Sequence, residues 1–438
     1  MASNVVLSGL AQALWRRETE NNPIKIGLVG CGEMGTDLLY RIALMDGIKV
    51  THIVTRNLER VFEACKICFN DKNFAQECNN LSSVYKAIEM GRIAAGTDLE
   101  LLLENEQIDV VVDATGHPNA GAEIGYKVLT NGKHLVTMNL EADAAIGHIL
   151  NIEAKKNNLI YSVGAGDEPS ACMELINFIS AMGHEIIAAG KGKNNPLITD
   201  ATPDKFEEEA YKRNMNPRML VEFIDGSKTM VEMATISNAT GLELDIDGMH
   251  GADTELEELN KVFIPKNAGG ILNKSGVVDY SIGKNVAPGV FAIAYMPQSR
   301  IKERMRDLKL GDGPYYTFYR PYHLTAMEVP LTCARIVLNG KADMQPLNKM
   351  VTEVCAVAKK DLYPADKLDF IGLYTYRAYS IDANKARNKK AIACGLLEGA
   401  TVTKHIKRGE LFTTDNCQIN SSLFIAKLRA NQDKLLYQ

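Results

Sequence analysis

The chain has 438 residues, a formal net charge of −5, and 46% hydrophobic against 24% charged residues, an ordinary balance for two to three globular domains with room for a large core. Lysine and arginine are spread along the chain, which excludes the basic stripe of a nucleic-acid binder. No apolar run reaches membrane-spanning length, and Met1–Asn21 carries Arg16, Arg17, Glu18 and Glu20 where a signal peptide needs apolar residues, so a cytoplasmic enzyme with no nucleic-acid or membrane partner is expected. Nine scattered cysteines, an odd number, suit reduced and mostly buried thiols; Cys65 and Cys68 form the one C-x-x-C pair, with no second pair at zinc-binding spacing.

Residues 3–20 place Val6, Leu7, Leu10, Leu14 and Trp15 at helical spacing, which predicts a leading amphipathic helix. The apolar run Ile26, Leu28, Val29 then fits a buried strand, and Gly30, Gly32 and Gly35 follow at G-x-G-x-x-G spacing. Gly30 permits the tight turn, Gly32 lets backbone approach a pyrophosphate, and Gly35 lets the next helix pack close, with Glu33 and Met34 in the same loop. An ordinary glycine turn would show the same spacing, so context decides. A helix over 34–45 and a strand over 48–55 follow, and Thr55-Arg56-Asn57 stands where an acidic residue would take the ribose hydroxyls of NAD. Arg56 suits a 2′-phosphate, which favours NADPH, although a surface arginine on a loop would read the same.

Helices are predicted over 58–69 and 82–91, and Asp98 is an N-cap for a helix to Asn105. The β-branched run 108–113 ends in Ala114-Thr115-Gly116, a small-residue turn where a nicotinamide-side contact belongs. Helix, strand, helix and strand are predicted over 119–131, 133–138, 143–157 and 159–163. Strand and helix thus alternate across the first part of the chain, the pattern of a doubly wound dinucleotide-binding domain.

After Val163 comes a loop, Gly164–Ser170, opening a helix over 171–182. A strand over 184–190 delivers Lys191-Gly192-Lys193-Asn194-Asn195-Pro196. Two lysines at i and i+2 on an extended segment face one way, so both ammonium groups can meet one substrate; a polar hairpin is the plainer alternative. Helices are predicted over 206–215 and 219–238, the second with acidic residues on one side. Glycine-rich stretches over 241–251 and 268–289, a strand over 290–294, an aromatic strand with a sharp turn over 311–323, and short strands over 355–361 and 399–420 complete the pattern.

The glycine loop, Val111–Gly116, Gly164–Ser170, Ala188–Leu197, Leu310–Pro314 with Pro321-Tyr322-His323, and Ile406–Leu411 together resemble the homoserine-dehydrogenase-like oxidoreductases with a C-terminal SAF-like module, closest to the deoxyxylulose-phosphate-reductoisomerase-like (DRL) group. The resemblance implies an α/β fold. It comprises an N-terminal Rossmann domain (1–165), a central α+β substrate and dimerisation domain (166–330) and a small β-rich SAF-like module (331–438), assembled as a homodimer or homotetramer. It also implies NADPH, held in addition by Asn139, Glu141 and Gly164, and reduction or isomerising reduction of a small polar or phosphorylated carbonyl compound. One departure bears on substrate. Homoserine dehydrogenases place a lysine directly after the asparagine that ends the strand near the nicotinamide, whereas Asn139 is followed here by Leu140.

Hydride arriving at a carbonyl leaves an alkoxide that needs a donor. Lys191 and Lys193, each lowered in pKa by the other, are the candidates, with Glu168 and Asp204 balancing their charge and Asn194 supplying a hydrogen bond. His323, inside the aromatic segment, is a further candidate. Isomerisation calls for a divalent metal, magnesium or manganese, for which Asp167 and Glu168 are candidate ligands; the same pair could instead charge a helix N-terminus. Conversion of 1-deoxy-D-xylulose 5-phosphate to 2-C-methyl-D-erythritol 4-phosphate is the expected reaction. Reduction of aspartate semialdehyde, another sugar-acid or sugar-phosphate dehydrogenation, or a non-enzymatic NADP(H) sensor are the alternatives.

Overall fold

The computed structural model describes residues 7–437. The leading helix runs over Gly9–Thr19, and residues 3–6 of the expected helix lie outside the described residues. Packing divides the chain into two units that do not follow chain order: 1–143 with 149–167 and 324–345, and 144–148 with 168–323 and 346–438.

The first unit is built on a seven-stranded parallel sheet. Its strands are β1 (Ile24–Val29), β2 (Ile48–Val54), β3 (Ala75–Glu77), β4 (Ile93–Gly96), β5 (Val110–Asp113), β6 (His134–Thr137) and β7 (Tyr161–Val163), in the order β3-β4-β2-β1-β5-β6-β7. The order reverses at β1, which pairs with β2 on one side and β5 on the other, and the glycine loop leaves the carboxyl end of that strand. Ile26, Leu28, Val110 and Val112 are fully buried, which is why these strands read as unbroken apolar runs. The helix Val329–Asn339, which no sequence signal announced, lays Val329, Cys333, Ala334 and Ile336 on this same core. Segment 324–345 therefore packs with the first unit, whereas the sequence reading split it between the central domain and the C-terminal module.

His52 in β2 is fully buried, and neither ring nitrogen has a hydrogen-bond partner among the described residues. Burial pulls its imidazole down to about 4. Between pH 6.5 and 4 the unfolded chain takes up a proton that the folded chain refuses, so stability falls as pH falls through that window, by about 3 kcal/mol at 1.36 kcal/mol per unit. Denaturant titrations at pH 7, 5.5 and 4.5 are expected to show a smaller loss in His52→Val than in wild type; parallel losses would refute the assignment.

The second unit centres on a mixed five-stranded sheet: β8 (Glu185–Gly192), β9 (Glu243–Leu244), β10 (Val277–Ser281), β11 (Val290–Tyr295) and β12 (Tyr315–Arg320), ordered β12-β11-β8-β10-β9. β8 lies parallel to β10 and antiparallel to β11. The expected helix over 219–238 is two helices, Pro217–Ile224 and Ser227–Thr240, because Asp225 caps the second and Gly226 takes φ 85°, a left-handed turn that breaks the first. The second of these helices is buried nearly throughout, and it carries no exposed acidic face. β13 (Thr352–Ala358) pairs antiparallel with β14 (Tyr376–Asp382), and two-residue strands β15 (Thr401–Val402) and β16 (Cys417–Gln418) pair beyond them. A closing helix, Phe424–Tyr437, ties Arg429 to buried Glu353. All nine cysteines are free thiols. Among the described residues no helix is long and apolar enough to cross a membrane.

Candidate active site

In the first unit the three loop glycines do different work. Gly30 sits at φ 96°, and a Cβ on it would stand 3.0 Å from the Ala114 carbonyl oxygen. On Gly35 a Cβ would fall 2.3 Å from the Gly30 oxygen, so the helix Glu33–Ala43 can start this close to β1 only without a side chain. Over Gly32 the nearest atom to such a Cβ is an Arg60 guanidinium nitrogen at 4.0 Å, and Gly32 offers no side chain to cap the helix amides. Uncapped amides beside an unfilled glycine face fit an anionic pyrophosphate. A pocket of about 380 Å³ opens at this point, lined by Gly32, Glu33, Thr36, Asn57 and Arg60 among others.

Of the other expected cofactor residues, Thr55 donates its amide to Gly96, and Arg56 and Asn57 are exposed after β2. Asn57 caps the turn into the following helix by accepting from the Glu59 amide. Arg60, one helical turn beyond Arg56, was missed by the sequence reading; it lines the pocket that Arg56 does not line. Met34 is half-buried against the core. Ala114 continues from β5, Gly116 has open space around it, and Thr115 is held from below by Asp113, whose carboxylate accepts from both its amide and its hydroxyl. Burial pushes the Asp113 carboxyl up to about 6. Asn139 is fully buried as the N-cap of the helix Leu140–Lys156, accepting from the Ala142 amide and donating to Thr115 and to the His117 carbonyl. Its side chain thus locks the turn after β5 to the turn after β6. Glu141 lies in the first turn of that helix, and Gly164 follows β7, its amide on the Thr137 carbonyl.

In the second unit Lys191 stands inside β8, opposite Tyr280 of β10 and Val290 of β11, rather than in a turn. The glycines on either side explain why. A Cβ on Gly190 would lie 1.6 Å from the Asp279 oxygen, and one on Gly192 would lie 2.1 Å from the Ala287 nitrogen, so neighbouring backbone closes in on both sides of the lysine. Its ammonium donates to Glu168 Oε1 at 2.6 Å and to Glu232, both buried. Burial alone would lower the Lys191 pKa; the Glu168 and Glu232 carboxylates outweigh it and hold the ammonium well above the ordinary lysine range. Glu232, on the buried helix Ser227–Thr240, was not singled out from sequence, although a lone acid between Val231 and Met233 is a visible signal.

Lys193, two residues on, does not join it on a common ligand. Its three N–H groups go to the carbonyls of Asn195 (2.7 Å), Pro196 (3.2 Å) and Phe223 (2.6 Å). Burial, then the Lys191 charge, pull its pKa down to about 8. Each lysine was expected to depress the other; the structure instead separates them, one raised by its carboxylates and one lowered. Asp204 does not balance either charge: it is exposed in the turn Pro203–Phe206, and Glu232 holds the place beside Lys191. Asn194 is exposed and accepts from Asn195.

His323 extends the cluster. Its Nε2 stands 3.6 Å from Glu168 Oε2, and its Nδ1 donates to the Pro288 carbonyl at 2.8 Å. With 21% of its side chain exposed, the imidazole is the solvent-facing end of a buried sequence Lys191, Glu168, His323. Asp167, the other member of the acidic pair offered to a metal, immediately precedes Glu168 in the chain, and its carboxylate, that of Glu168 and the His323 ring offer ligand atoms within 4.8 Å of one another.

Two family models match consecutive parts of the chain: the NAD binding domain of homoserine dehydrogenase over 30–163, and the catalytic domain of oxidoreductase DRL over 166–329. No curated protein sequence matches. Solved structures similar to the chain include a homoserine dehydrogenase from Thiobacillus denitrificans (16% identity, 88% of this chain and 98% of that one, TM-score 0.43). A probable dehydrogenase from Thermotoga maritima matches at 15% identity over 73% of this chain and 90% of that one, with TM-score 0.43. The 1-deoxy-D-xylulose 5-phosphate reductoisomerase from Zymomonas mobilis in complex with NADPH matches at 15% over 48% and 56%, with TM-score 0.34. The parallel sheet with its glycine cradle and the two matching domains make this chain an NAD(P)-dependent oxidoreductase of the DRL and homoserine-dehydrogenase-like group.

Proposed function

We propose that the enzyme reduces the carbonyl of a small polar, phosphorylated substrate with NADPH, and that Lys191 is the residue that receives the substrate oxygen. One observation carries this. An ammonium has three N–H donors; Glu168 and Glu232 take two from Lys191, and among the described residues nothing takes the third, whereas Lys193 has given all three to backbone carbonyls. Counting donors divides the two lysines: Lys191 for the substrate oxygen, Lys193 for fastening the 194–196 turn to the end of the helix Pro217–Ile224.

Bound nicotinamide supplies hydride to the carbonyl carbon. Gly30, Gly32 and Gly35 hold its pyrophosphate, and Arg56 with Arg60 are the cations for a 2′-phosphate. The Lys191 ammonium stabilises the developing alkoxide, and its two carboxylates keep it charged as it does so. As the alkoxide takes a proton from Lys191, Glu168 and then the half-exposed His323 return one from solvent. For an isomerising route, Asp167 and Glu168 are the residues that would hold magnesium or manganese, sharing with Lys191 the Glu168 carboxylate.

The test is NADPH oxidation followed at 340 nm with 1-deoxy-D-xylulose 5-phosphate, other ketose and aldose phosphates, and aspartate semialdehyde, each with and without magnesium or manganese. Turnover is expected with a sugar phosphate and not with aspartate semialdehyde, for which the lysine after Asn139 is missing. Turnover with aspartate semialdehyde alone would overturn the reading.

A further inference from the structure

A second cluster of charge lies in the second unit, apart from Lys191 and its partners. A pocket of about 430 Å³ is lined by Lys359, Arg377, Lys389 and Arg408, with Asp247 and Tyr379 among the other walls. That volume falls within the range of small-molecule sites. None of Lys191, Lys193, Glu168, Glu232 or His323 lines it.

The four cations differ in how far they are neutralised. Lys359 is buried and spent: it pairs with Asp225 at 2.7 Å and donates to the Ala201 and Leu373 carbonyls at 2.8 Å. Asp247, the carboxylate of the pocket, is engaged with Lys385. Arg377 is the unbalanced one. Its guanidinium makes a single hydrogen bond, to the Ala378 carbonyl at 3.3 Å, and lies 5.4 Å over the Tyr379 ring, with no carboxylate at ion-pair distance among the described residues. Burial lowers its pKa, which distant Asp225 only partly offsets. A half-buried guanidinium with most of its five donors unused is costly unless something accepts from them. Lys389 is exposed with no ion pair among the described residues, and Arg408 reaches only Asp200, at 3.5 Å.

We propose that this pocket binds a small phosphate-bearing anion, gripped by the Arg377 fork and flanked by Lys389 and Arg408. A phosphate group fits better than a carboxylate because three incompletely neutralised cations converge, and a phosphate offers nearly two charges and three acceptor oxygens where a carboxylate offers one and two. Sharing no residue with the Lys191 cluster, this is a binding site in addition to the one that holds the carbonyl.

Calorimetric titration of the full chain with inorganic phosphate, at fixed ionic strength, tests it. Saturable binding is expected in wild type, with acetate at least tenfold weaker. Arg377→Gln abolishes phosphate binding; Lys389→Ala with Arg408→Ala, which alters only exposed side chains, weakens it tenfold or more even where R377Q fails to fold. Lys191→Met with Glu232→Gln, which keeps the net charge of that cluster, leaves it unchanged, which separates this site from the reduction site. Absence of saturable binding, acetate equal to phosphate, wild-type affinity in the K389A/R408A variant, or loss in K191M/E232Q would each overturn the proposal.

Discussion

Lys191→Met is expected to cut turnover by 10³-fold or more while leaving NADPH affinity within a factor of two. Methionine keeps the bulk of the stem but removes an ammonium that, among the described residues, has a donor to spare, so on the proposed mechanism the alkoxide loses both its stabilising charge and its proton. The cofactor loop belongs to the first unit and is untouched. The substitution also removes the ammonium that pairs with both buried carboxylates, Glu168 and Glu232. Breaking a buried pair in this way costs about 3–5 kcal/mol, so K191M alone confounds lost chemistry with lost stability. K191M with Glu232→Gln separates them: removing one of the two charges restores most of the unfolding midpoint, and turnover stays abolished. Recovery of turnover together with stability would mean that Lys191 only holds the fold. Lys193→Met is expected to behave otherwise, loosening the 194–196 turn and raising KM more than it lowers kcat, since three carbonyls lose their donor rather than the substrate losing its acid.

Much of the first unit is legible from residues alone, and the reason is physical. Parallel strands buried on both faces must be apolar throughout, and their helices must alternate with them, so the pattern survives in one dimension. Asp98 caps its helix as its position suggested, by accepting from the Glu100 amide. The second unit is less legible because its determinants are contacts between distant segments. Nothing in the sequence near Lys191 says that Glu232 will stand beside it; the acid sits 41 residues on, in a helix whose small and hydroxyl residues mask its complete burial. The strand Val277–Ser281 was submerged in a glycine-rich stretch, and the glycine that lets β8 backbone close on it is none of these but Gly190, far back in the chain. Alternation put two lysines on one extended segment, yet β8 ends at Gly192, between them, and alternation could not count the acceptors, which differ for the two side chains.

Gly35→Ala is expected to weaken NADPH binding by about 100-fold, close to 3 kcal/mol at 1.4 kcal/mol per tenfold. The added methyl would stand 2.3 Å from the Gly30 carbonyl oxygen, a separation no Cβ tolerates, and the obstacle is backbone rather than a side chain that can swing aside. Either the helix Glu33–Ala43 retreats from β1 or the Gly30 turn opens, and each removes the uncapped amides from the pyrophosphate. Gly30 cannot absorb the shift, being held at φ 96° with its amide on the Val54 carbonyl and the Ala114 oxygen in the way of any rearrangement toward β5. Gly32→Ala is the matched control. Around that position only the tip of the flexible Arg60 side chain comes within 4.0 Å, so the fold accepts the methyl and any loss of affinity measures the ligand's own approach to the loop. Fluorescence titration with NADPH and denaturant unfolding of both variants give the answer: G35A is expected to lose affinity and stability together, G32A affinity alone. Unchanged affinity in G32A would remove the cofactor from this face of the loop.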